Sequence, residues 1–326
     1  MAGTQRTTQR TGRYPFSGIP SGWYVVALSR ELATGQVVGR RYFDRDCVLY
    51  RTQSGRAVLT DAHCPHMGAH LEDGRVVGES LVCPFHGFEF DAEGSCVGTP
   101  YGRGLPPRAQ LRTWLVREQN GLVLVWFDAH DKPPEWSVPE LDTEDFSPLI
   151  HRRYEIESHP QETTENSIDF GHFTSVHNFP RAEMTREVTT DGPRLRSGYA
   201  IDATLGVIGL PNRSVHVQFD VEVWGLGYSL VNLTLEAFGV HGRLFVLPTP
   251  IDEEHIELRL ACATHHRWKP VGRLLRAIIA RQFWAEVEED IPIWRRKKYV
   301  DPPALAPGDG PVALYRRWAA QFYPAS

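Results

Sequence analysis

Two short segments of the sequence combine cysteine and histidine at spacings that suit a metal centre. Cys64 and His66 are separated by one residue, Cys83 and His86 by two, and sixteen residues lie between His66 and Cys83. Two thiolates and two imidazoles can bind one zinc ion in a closed tetrahedral site. They can also bind a [2Fe–2S] cluster, with both thiolates on one iron and both imidazoles on the other. The spacing therefore predicts a metal centre and leaves these alternatives open.

A second group of candidate residues lies in the segment ETTENSIDFGHFTSVHNF, which contains Asn166, Asp169, His172 and His177. Asp169 and His172 are three residues apart, so they share one face of a helix. His172 and His177 are five residues apart, which separates them by about 140° around a regular α-helix. Both can bind one metal only if the helix is distorted between them. We therefore predict a π-type turn or distortion near residues 174 and 175.

Two histidines and one carboxylate form the metal-binding triad of many non-haem Fe(II) enzymes, which leaves positions for dioxygen and substrate. The carboxylate must come from another part of the chain. We predict Asp290, in VEEDIPIW near the end of an amphipathic stretch, where Pro292 interrupts helical hydrogen bonding. Glu286 and Glu289 are the alternatives: Glu286 lies one helical turn away, and Glu289 points about 100° aside. Without the cysteine and histidine segments upstream, two solvated histidines would be the simpler interpretation.

The segment around the first candidates consists of short β-rich runs, including WYVVAL, VVGRRYF, CVLYRT and AVLTD, bounded by Gly, Ser and Asp. Farther on, Asn120-Gly121 separates an alternating run from LVLVWF, which is a strong hairpin signal. We therefore predict an all-β domain over residues 20–130. The polar residues 1–19 before it are expected to form a disordered arm.

Residues 131–148 are rich in Pro and acidic residues and lack periodicity, so we predict a connector. The second domain, residues 149–326, begins with a strand near residues 153–157 and a helical segment over 160–178. Long alternating strands follow, and residues 273–291 place apolar side chains at helical spacing. An antiparallel sheet with helices on one face is an α+β architecture.

Composition limits the function. The chain has 326 residues, a formal net charge of −5 and 41% hydrophobic residues. This composition excludes a disordered chain and gives no basic excess for nucleic acid. We find no apolar run of the ~20 residues that a membrane span needs and no signal peptide, so we expect a cytoplasmic protein. We assign no chemistry to the remaining cysteines, Cys47, Cys96 and Cys262.

Each cysteine and histidine segment also contains a proline and a following glycine, Pro65 with Gly68 and Pro84 with Gly87. This pattern resembles the Rieske iron–sulfur loops, and the lack of an extra cysteine in each loop resembles the oxygenase type. Together, the two groups of residues resemble the Rieske non-haem iron oxygenases from residue 23 to residue 299. CPHMGAHL and EDIPIWRRKKY are similar to the steroid-directed branch, which contains cholesterol 7-desaturase and 3-ketosteroid 9α-hydroxylase.

The resemblance implies an N-terminal all-β Rieske domain and a C-terminal helix-grip (START-like) domain with a curved antiparallel sheet and helices on one face. It implies a homotrimer in which Asp169 bridges an iron-binding histidine and a cluster-binding histidine of the neighbouring subunit. Asn166 and Asp169 are thus the candidate catalytic residues. The implied metal ligands are Cys64, His66, Cys83 and His86 for a [2Fe–2S] cluster, and His172, His177 and Asp290 for a mononuclear Fe(II).

The implied activity is that of a terminal oxygenase that uses O₂ to hydroxylate or desaturate a hydrophobic, steroid-like polycycle. The sequence contains no flavin or nicotinamide fingerprint and no plant-type ferredoxin spacing. Electrons are therefore expected from a separate NAD(P)H-dependent reductase, either directly or through a ferredoxin. One alternative is an oxygenase that acts on another hydrophobic natural product or an aromatic compound. Another is a Rieske electron-transfer protein whose C-terminal domain binds a ligand without catalysis.

Overall fold

The computed structural model of the protein describes residues 13–179, 182–205, 210–307 and 309–324. Its N-terminal part consists of small antiparallel sheets with the strand orders β1-β10-β9, β2-β3-β4 and β5-β6-β7-β8. The strands are β1 (Gly22–Leu28), β2 (Val37–Tyr42), β3 (Arg45–Arg51), β4 (Ala57–Asp61), β5 (Arg75–Val77), β6 (Ser80–Val82), β7 (Glu89–Phe90), β8 (Cys96–Gly98), β9 (Val116–Gln119) and β10 (Leu122–Phe127).

The predicted hairpin joins β9 to β10. Asn120 and Gly121 have φ angles of 57° and 75°, as a two-residue type I′ turn requires. Gln119 pairs with Leu122 directly across this turn. The local sequence signal is therefore confirmed, because an Asn-Gly pair adopts positive φ at little cost.

The C-terminal part is a sheet of antiparallel strands in the order β11-β17-β16-β15-β14-β13-β12, together with helices. This arrangement confirms the predicted α+β class, although β12 and α4 lie where the sequence predicted no element. The elements are β11 (Ile150–Glu157), α1 (Pro160–Glu165), α2 (His172–Ser175), β12 (Ala182–Asp191), β13 (Arg194–Leu205), β14 (Leu210–Trp224), β15 (Tyr228–Leu235), β16 (Val240–Pro250), β17 (His255–His265), α3 (Lys269–Trp294) and α4 (Val312–Ala319). Within the described part of the chain, none of the helices combines the length and apolar character of a membrane span.

Both faces of the large sheet are covered, whereas the alternating pattern predicted a single buried face. Leu244 of β16 and Leu258 of β17 belong to a core that includes Phe283 and Val287 of α3. The intervening side chains of the same strands, such as Phe245, pack on the opposite face against β1 and β10. The N-terminal part therefore covers the second face of the large sheet and shields it from solvent. As a result, β1 is buried along its whole length.

A buried arginine connects the two parts of the molecule across this second face. Arg259 of β17 is fully buried; its Nη1 lies 2.9 Å from Oε2 of Glu31 and its Nη2 lies 2.8 Å from Oε1 of Glu257. Nη2 also donates to the carbonyl of Val26, at 2.9 Å. The Tyr42 hydroxyl donates to the same Glu257 oxygen, at 2.8 Å. Two carboxylates and a carbonyl thus compensate one buried positive charge.

We expect the substitution Arg259→Met to lower the free energy of unfolding by about 3 kcal/mol, because it removes the buried cation from Glu257 and leaves that carboxylate only the partly exposed Arg153, at 3.2 Å. Denaturant unfolding followed by circular dichroism measures the change. The matched control is Arg41→Met, which removes an exposed arginine paired with Asp44 and Asp46 and should change stability little. Equal effects of the two substitutions would show that the buried network does not hold the two parts together.

The expected disordered arm, residues 1–19, differs from the structure over residues 13–19. Arg13 donates to the carbonyl of Lys297, at 2.6 Å, and to that of Trp294. Tyr14 is buried, and Phe16 stacks on Tyr323 with ring centroids 5.1 Å apart. Arg13 therefore fixes this segment against the end of α3, and Phe16 fixes it against the C-terminal segment that contains Tyr323. The first twelve residues of the predicted arm lie outside the described residues.

Candidate metal centres

The first candidate centre is built from two loops with the same backbone hydrogen bonds. In the first loop, the amide of Cys64 donates to the carbonyl five residues later, and the amide of Gly68 donates back to the Cys64 carbonyl, both at 2.9 Å. Cys83 and Gly87 repeat this pattern at 2.8 and 3.1 Å. Gly68 and Gly87 have φ angles of 78° and 64°, a conformation that favours glycine. The two loops are therefore equivalent supports for side chains of the same kind.

The four candidate side chains of these loops lie together. Cys64 and Cys83 are buried, whereas His66 and His86 are partly exposed, with ring centroids 4.7 Å apart. Burial raises the pKa of the Cys64 thiol to about 11, and the neighbouring Cys83 adds to this effect. A cation bound between the loops would stabilise the thiolate form that metal binding needs.

A buried nitrogen tests whether these residues fit a metal group. Nδ1 of His66 is buried and has no hydrogen-bond partner among the described residues. Such an unpaired buried group costs about 1–3 kcal/mol, and a metal bond would remove this cost. The His66 ring is held in place by Phe88, which stacks on it at 4.2 Å between centroids. The donor set of two thiols and two imidazoles fits a [2Fe–2S] cluster of the Rieske type.

The second candidate centre begins with α1, whose residues are all buried. His159 caps this helix by accepting a hydrogen bond from the Gln161 amide, at 3.2 Å. The chain turns after α1, and the short helix α2 begins at His172 and ends at Ser175. The predicted continuous helical segment over residues 160–178 is therefore wrong.

The distortion predicted near residues 174 and 175 takes a different form from a π-type turn. The Val176 amide donates to the His172 carbonyl at 2.8 Å, which is ordinary α-helical bonding, and the described residues contain no π-helical turn here. The helix simply ends after Ser175. This termination allows His177 to turn back toward His172, so that their ring centroids lie 5.1 Å apart.

His172, His177 and Asp290 converge in the structure. Each offers a ligand atom, and these atoms lie within 4.8 Å of one another. Nε2 of His177 is 3.6 Å from Oδ1 of Asp290, and both side chains are almost fully buried. The alternative carboxylates, Glu286 and Glu289, are not part of this group of ligand atoms. The donor set of two imidazoles and one carboxylate fits a non-haem Fe(II) site with open positions.

Neighbouring groups fix the orientation of each of these side chains. Nδ1 of His177 lies 3.0 Å from Oε2 of Glu289, and Nδ1 of His172 lies 2.5 Å from the carbonyl oxygen of Asp169. Nδ2 of Asn166 donates to Oδ2 of Asp290, at 3.1 Å. Both imidazoles thus use Nδ1 for support and keep Nε2 for a metal, a usual arrangement around metal-binding histidines. The sequence did not reveal this supporting role of Glu289.

Burial and neighbouring charges shift the pKa values of two of these side chains upward. Burial raises the pKa of Asp290, although His172, His177 and Asn166 each act to lower it. Burial lowers the pKa of His172, but the hydrogen bond to Asp169 and the charge of Asp290 outweigh it, so the net shift is upward. Both shifts favour the protonated forms of these side chains, so binding of a divalent cation here would compete with protons.

A cavity of about 100 Å³ adjoins the three side chains. Its walls come from α2, α3 and the inner face of the sheet, and they are mostly apolar: Phe173, Phe179, Tyr199, Ile201, Phe219, Val221, Val231, Leu244, Val246, Phe283, Val287 and Trp294. Glu286 also lines it. Pockets for drug-sized ligands usually measure about 300–1,000 Å³. Lining side chains must therefore move before a polycyclic molecule can enter.

The sequence matches two known families, one after the other along the chain. Residues 22–112 match the family described as the Rieske [2Fe-2S] domain. Residues 125–323 match the family described as the 3-ketosteroid 9alpha-hydroxylase C-terminal domain. The first match covers both cysteine and histidine loops, and the second covers the converging histidines and Asp290.

Individual relatives match over most of their length. Cholesterol 7-desaturase from Caenorhabditis elegans is 32% identical over 333 residues, which cover 93% of this chain and 77% of the relative. The oxygenase component of 3-ketosteroid-9-alpha-monooxygenase from Rhodococcus rhodochrous is 30% identical over 316 residues, which cover 93% and 80%. The crystal structure of dicamba monooxygenase bound to dicamba has the same fold, with a TM-score of 0.75, 24% identity and coverage of 92% and 96%.

Proposed function

Because the chain belongs to the Rieske non-haem iron oxygenase family that includes the cholesterol 7-desaturases and 3-ketosteroid 9α-hydroxylases, we propose that it hydroxylates or desaturates a steroid-like substrate. As a member of this family it is an oxidoreductase with a Rieske [2Fe–2S] cluster and a mononuclear iron. The observation that carries the proposal is the convergence of His172, His177 and Asp290 beside an apolar cavity. An electron-transfer protein would have no use for this buried triad.

In the proposed enzyme, Cys64, His66, Cys83 and His86 hold the cluster, and His172, His177 and Asp290 hold the iron. When bound, these two groups relay electrons one at a time and activate dioxygen at the open positions of the iron. The protein's own residues position the reaction. Asn166 orients the Asp290 carboxylate, and the apolar walls keep bulk water from the substrate.

Electrons must reach the cluster from another protein, which we take to be an NAD(P)H-dependent reductase acting directly or through a ferredoxin. The name of the Rhodococcus relative describes an oxygenase component, which supports a reductase on a separate chain.

We further propose a homotrimer in which the cluster of one subunit serves the iron of the next. Met67 and Phe85, at the tips of the cluster loops, support this arrangement, because their apolar side chains are 67% and 62% exposed. The Asp169 carboxylate supports it as well, since its side chain is 38% exposed while it lies 3.8 Å from Nδ1 of His172. In this position Asp169 can hydrogen-bond to an incoming histidine, as its proposed bridging role requires.

The steroid-like substrate is supported by the aromatic and aliphatic walls of the cavity and by the names of the relatives. We would incubate the purified protein with a reductase, NAD(P)H and O₂, first with sterols and 3-ketosteroids, and measure product masses. A gain of one oxygen indicates hydroxylation, and a loss of two hydrogens indicates desaturation. If another hydrophobic or aromatic compound is oxidised and no steroid is converted, the proposed substrate class is wrong, whereas the proposed oxygenase activity is supported.

A further inference from the structure

Among the residues that line the substrate cavity, Glu286 is the acidic side chain that does not belong to the metal triad. Of the polar residues there, Asn166 donates to Asp290 and the Thr163 hydroxyl donates to the carbonyl of Pro160, at 3.1 Å; Ser167 and Tyr199 carry neutral hydroxyl groups. Glu286 also lines the cavity. Its carboxyl group is not among the converging ligand atoms, so Glu286 is a lining residue of the cavity that does not join the metal site.

Glu286 occupies a position where packing alone would favour an apolar residue. Its neighbours on α3 that face the same cavity are Phe283 and Val287, and both belong to the core under the sheet. Phe219 and Tyr199 line the opposite side and stack on each other at 4.7 Å. A carboxyl group in such surroundings costs free energy unless a polar partner compensates it.

The compensation within the protein is incomplete. Gln282 donates to Oε1 of Glu286, at 3.1 Å, whereas Oε2 makes no hydrogen bond with any residue that the structure describes. Burial raises the pKa of Glu286 to about 7; Gln282 counteracts this, and the charges of Glu289 and Asp290 add to it. One acceptor oxygen therefore remains for a group that enters the cavity.

We propose that Glu286 is the specificity-determining residue of the cavity and accepts a hydrogen bond from a hydroxyl group on the otherwise apolar substrate. A carboxyl group can accept from a hydroxyl whether or not it carries a proton, whereas it can donate to a ketone only when protonated. A hydroxyl therefore suits this position in both states. The inference rests on the proposed function, because it assumes a rigid apolar substrate that reaches the iron site.

The position of Glu286 also constrains where the substrate is oxidised. Glu286 and Asp290 are one helical turn apart, which is about 6 Å along the axis of α3. A rigid molecule anchored at Glu286 thus presents to the iron site a carbon close to its own hydroxyl. We expect oxidation on the ring that bears the hydroxyl or on the ring fused to it.

The test compares the binding of three steroids that differ only at C3: a 3β-hydroxysteroid, the corresponding 3-ketosteroid and the 3-deoxy steroid. Calorimetric titration of the iron-loaded protein, without reductase or NAD(P)H, gives the dissociation constants. We expect the wild type to bind the hydroxysteroid roughly tenfold to hundredfold more tightly than the deoxy steroid, the range for a hydrogen bond to a charged group. Glu286→Leu should remove this preference while it keeps affinity for the deoxy steroid.

Two further variants make the test selective. Glu286→Gln keeps a carbonyl acceptor and nearly the same volume, so it should fold normally and retain part of the preference. Glu288→Leu is the matched control, because Glu288 lies on the same helix but pairs with the Tyr154 hydroxyl and Arg152 outside the cavity. This control should keep the full preference for the hydroxysteroid.

Several results would overturn the inference. If the wild type binds the hydroxy and deoxy steroids equally, or if Glu286→Leu keeps the preference, Glu286 does not select the substrate, while the proposed steroid oxidation still stands. If product analysis under turnover, with reductase and NAD(P)H, places the oxidised carbon at the far end of the ring system from the hydroxyl, the anchoring is also wrong. If none of the three steroids binds, both this inference and the proposed substrate class fail.

Discussion

His172→Ala is expected to reduce substrate oxidation by roughly 10³-fold or more, the scale seen when one member of a catalytic unit is removed. The substitution removes one of two imidazoles in a triad whose ligand atoms lie within 4.8 Å of one another. The mononuclear iron should be lost, while the visible absorption of the cluster, which lies in the other domain, should be unchanged. Turnover, iron content and the absorption spectrum of the same preparation measure the three effects.

The matched control for this prediction is His216→Ala. His216 is exposed and lies 3.2 Å from a carboxylate oxygen of Asp202, so its loss should leave turnover and iron content unchanged. The proposed role of His172 would be refuted if the His172→Ala protein still oxidised substrate at the wild-type rate. Loss of both iron centres would instead indicate that the variant had unfolded.

Cys83→Ser is expected to remove the cluster and to abolish reductase-driven turnover, because serine oxygen is a poor substitute for thiolate at an iron–sulfur cluster. Cys83 lies buried in the same core as Cys64, and the cluster would join the two equivalent loops. Its loss should therefore also lower the melting temperature, since bound metal contributes to folding. Visible absorption, acid-labile sulfide and thermal unfolding report these changes.

Cys96→Ser provides the control for Cys83→Ser, because Cys96 is a free cysteine buried in the same core but outside both loops. We expect it to keep the full absorption spectrum and turnover. A Cys83→Ser protein that kept its brown colour and activity would show that the cluster is held elsewhere.

Local features of the structure could be predicted from the sequence because their causes are local. The cluster loops depend on glycines at positive φ and on short spacings between donor residues. The β9-β10 hairpin depends on Asn120-Gly121. In both cases the residues that determine the conformation are neighbours in the chain, so their types alone indicate the fold.

The tertiary arrangement around the iron site was only partly predictable. The spacing of His172 and His177 showed that a regular helix could not serve, but not that α2 would end at Ser175 instead of widening. Glu289 was expected to point about 100° aside from Asp290. Its contact with Nδ1 of His177 joins residues 112 positions apart, and no local pattern encodes such a contact.

The buried second face of the large sheet was beyond the sequence analysis for a similar reason. Alternation in β16 and β17 indicates one apolar face, yet Phe245, Leu247 and Ala261 on the other face are buried by β1 and β10. The consecutive apolar residues 244–247 interrupt this alternation, but they do not reveal which part of the chain covers the second face. Arg259 shows the same limit, since its partners Glu31 and Val26 lie in the other domain.

Metal analysis of anaerobically prepared protein decides whether one chain holds two separate iron centres. We expect three iron atoms and two acid-labile sulfides per chain, two irons in the cluster and one at the triad. It also predicts that His172→Ala retains two of the three irons. A zinc-loaded protein without labile sulfide, or a wild type that never contains more than two irons after reconstitution, would contradict it.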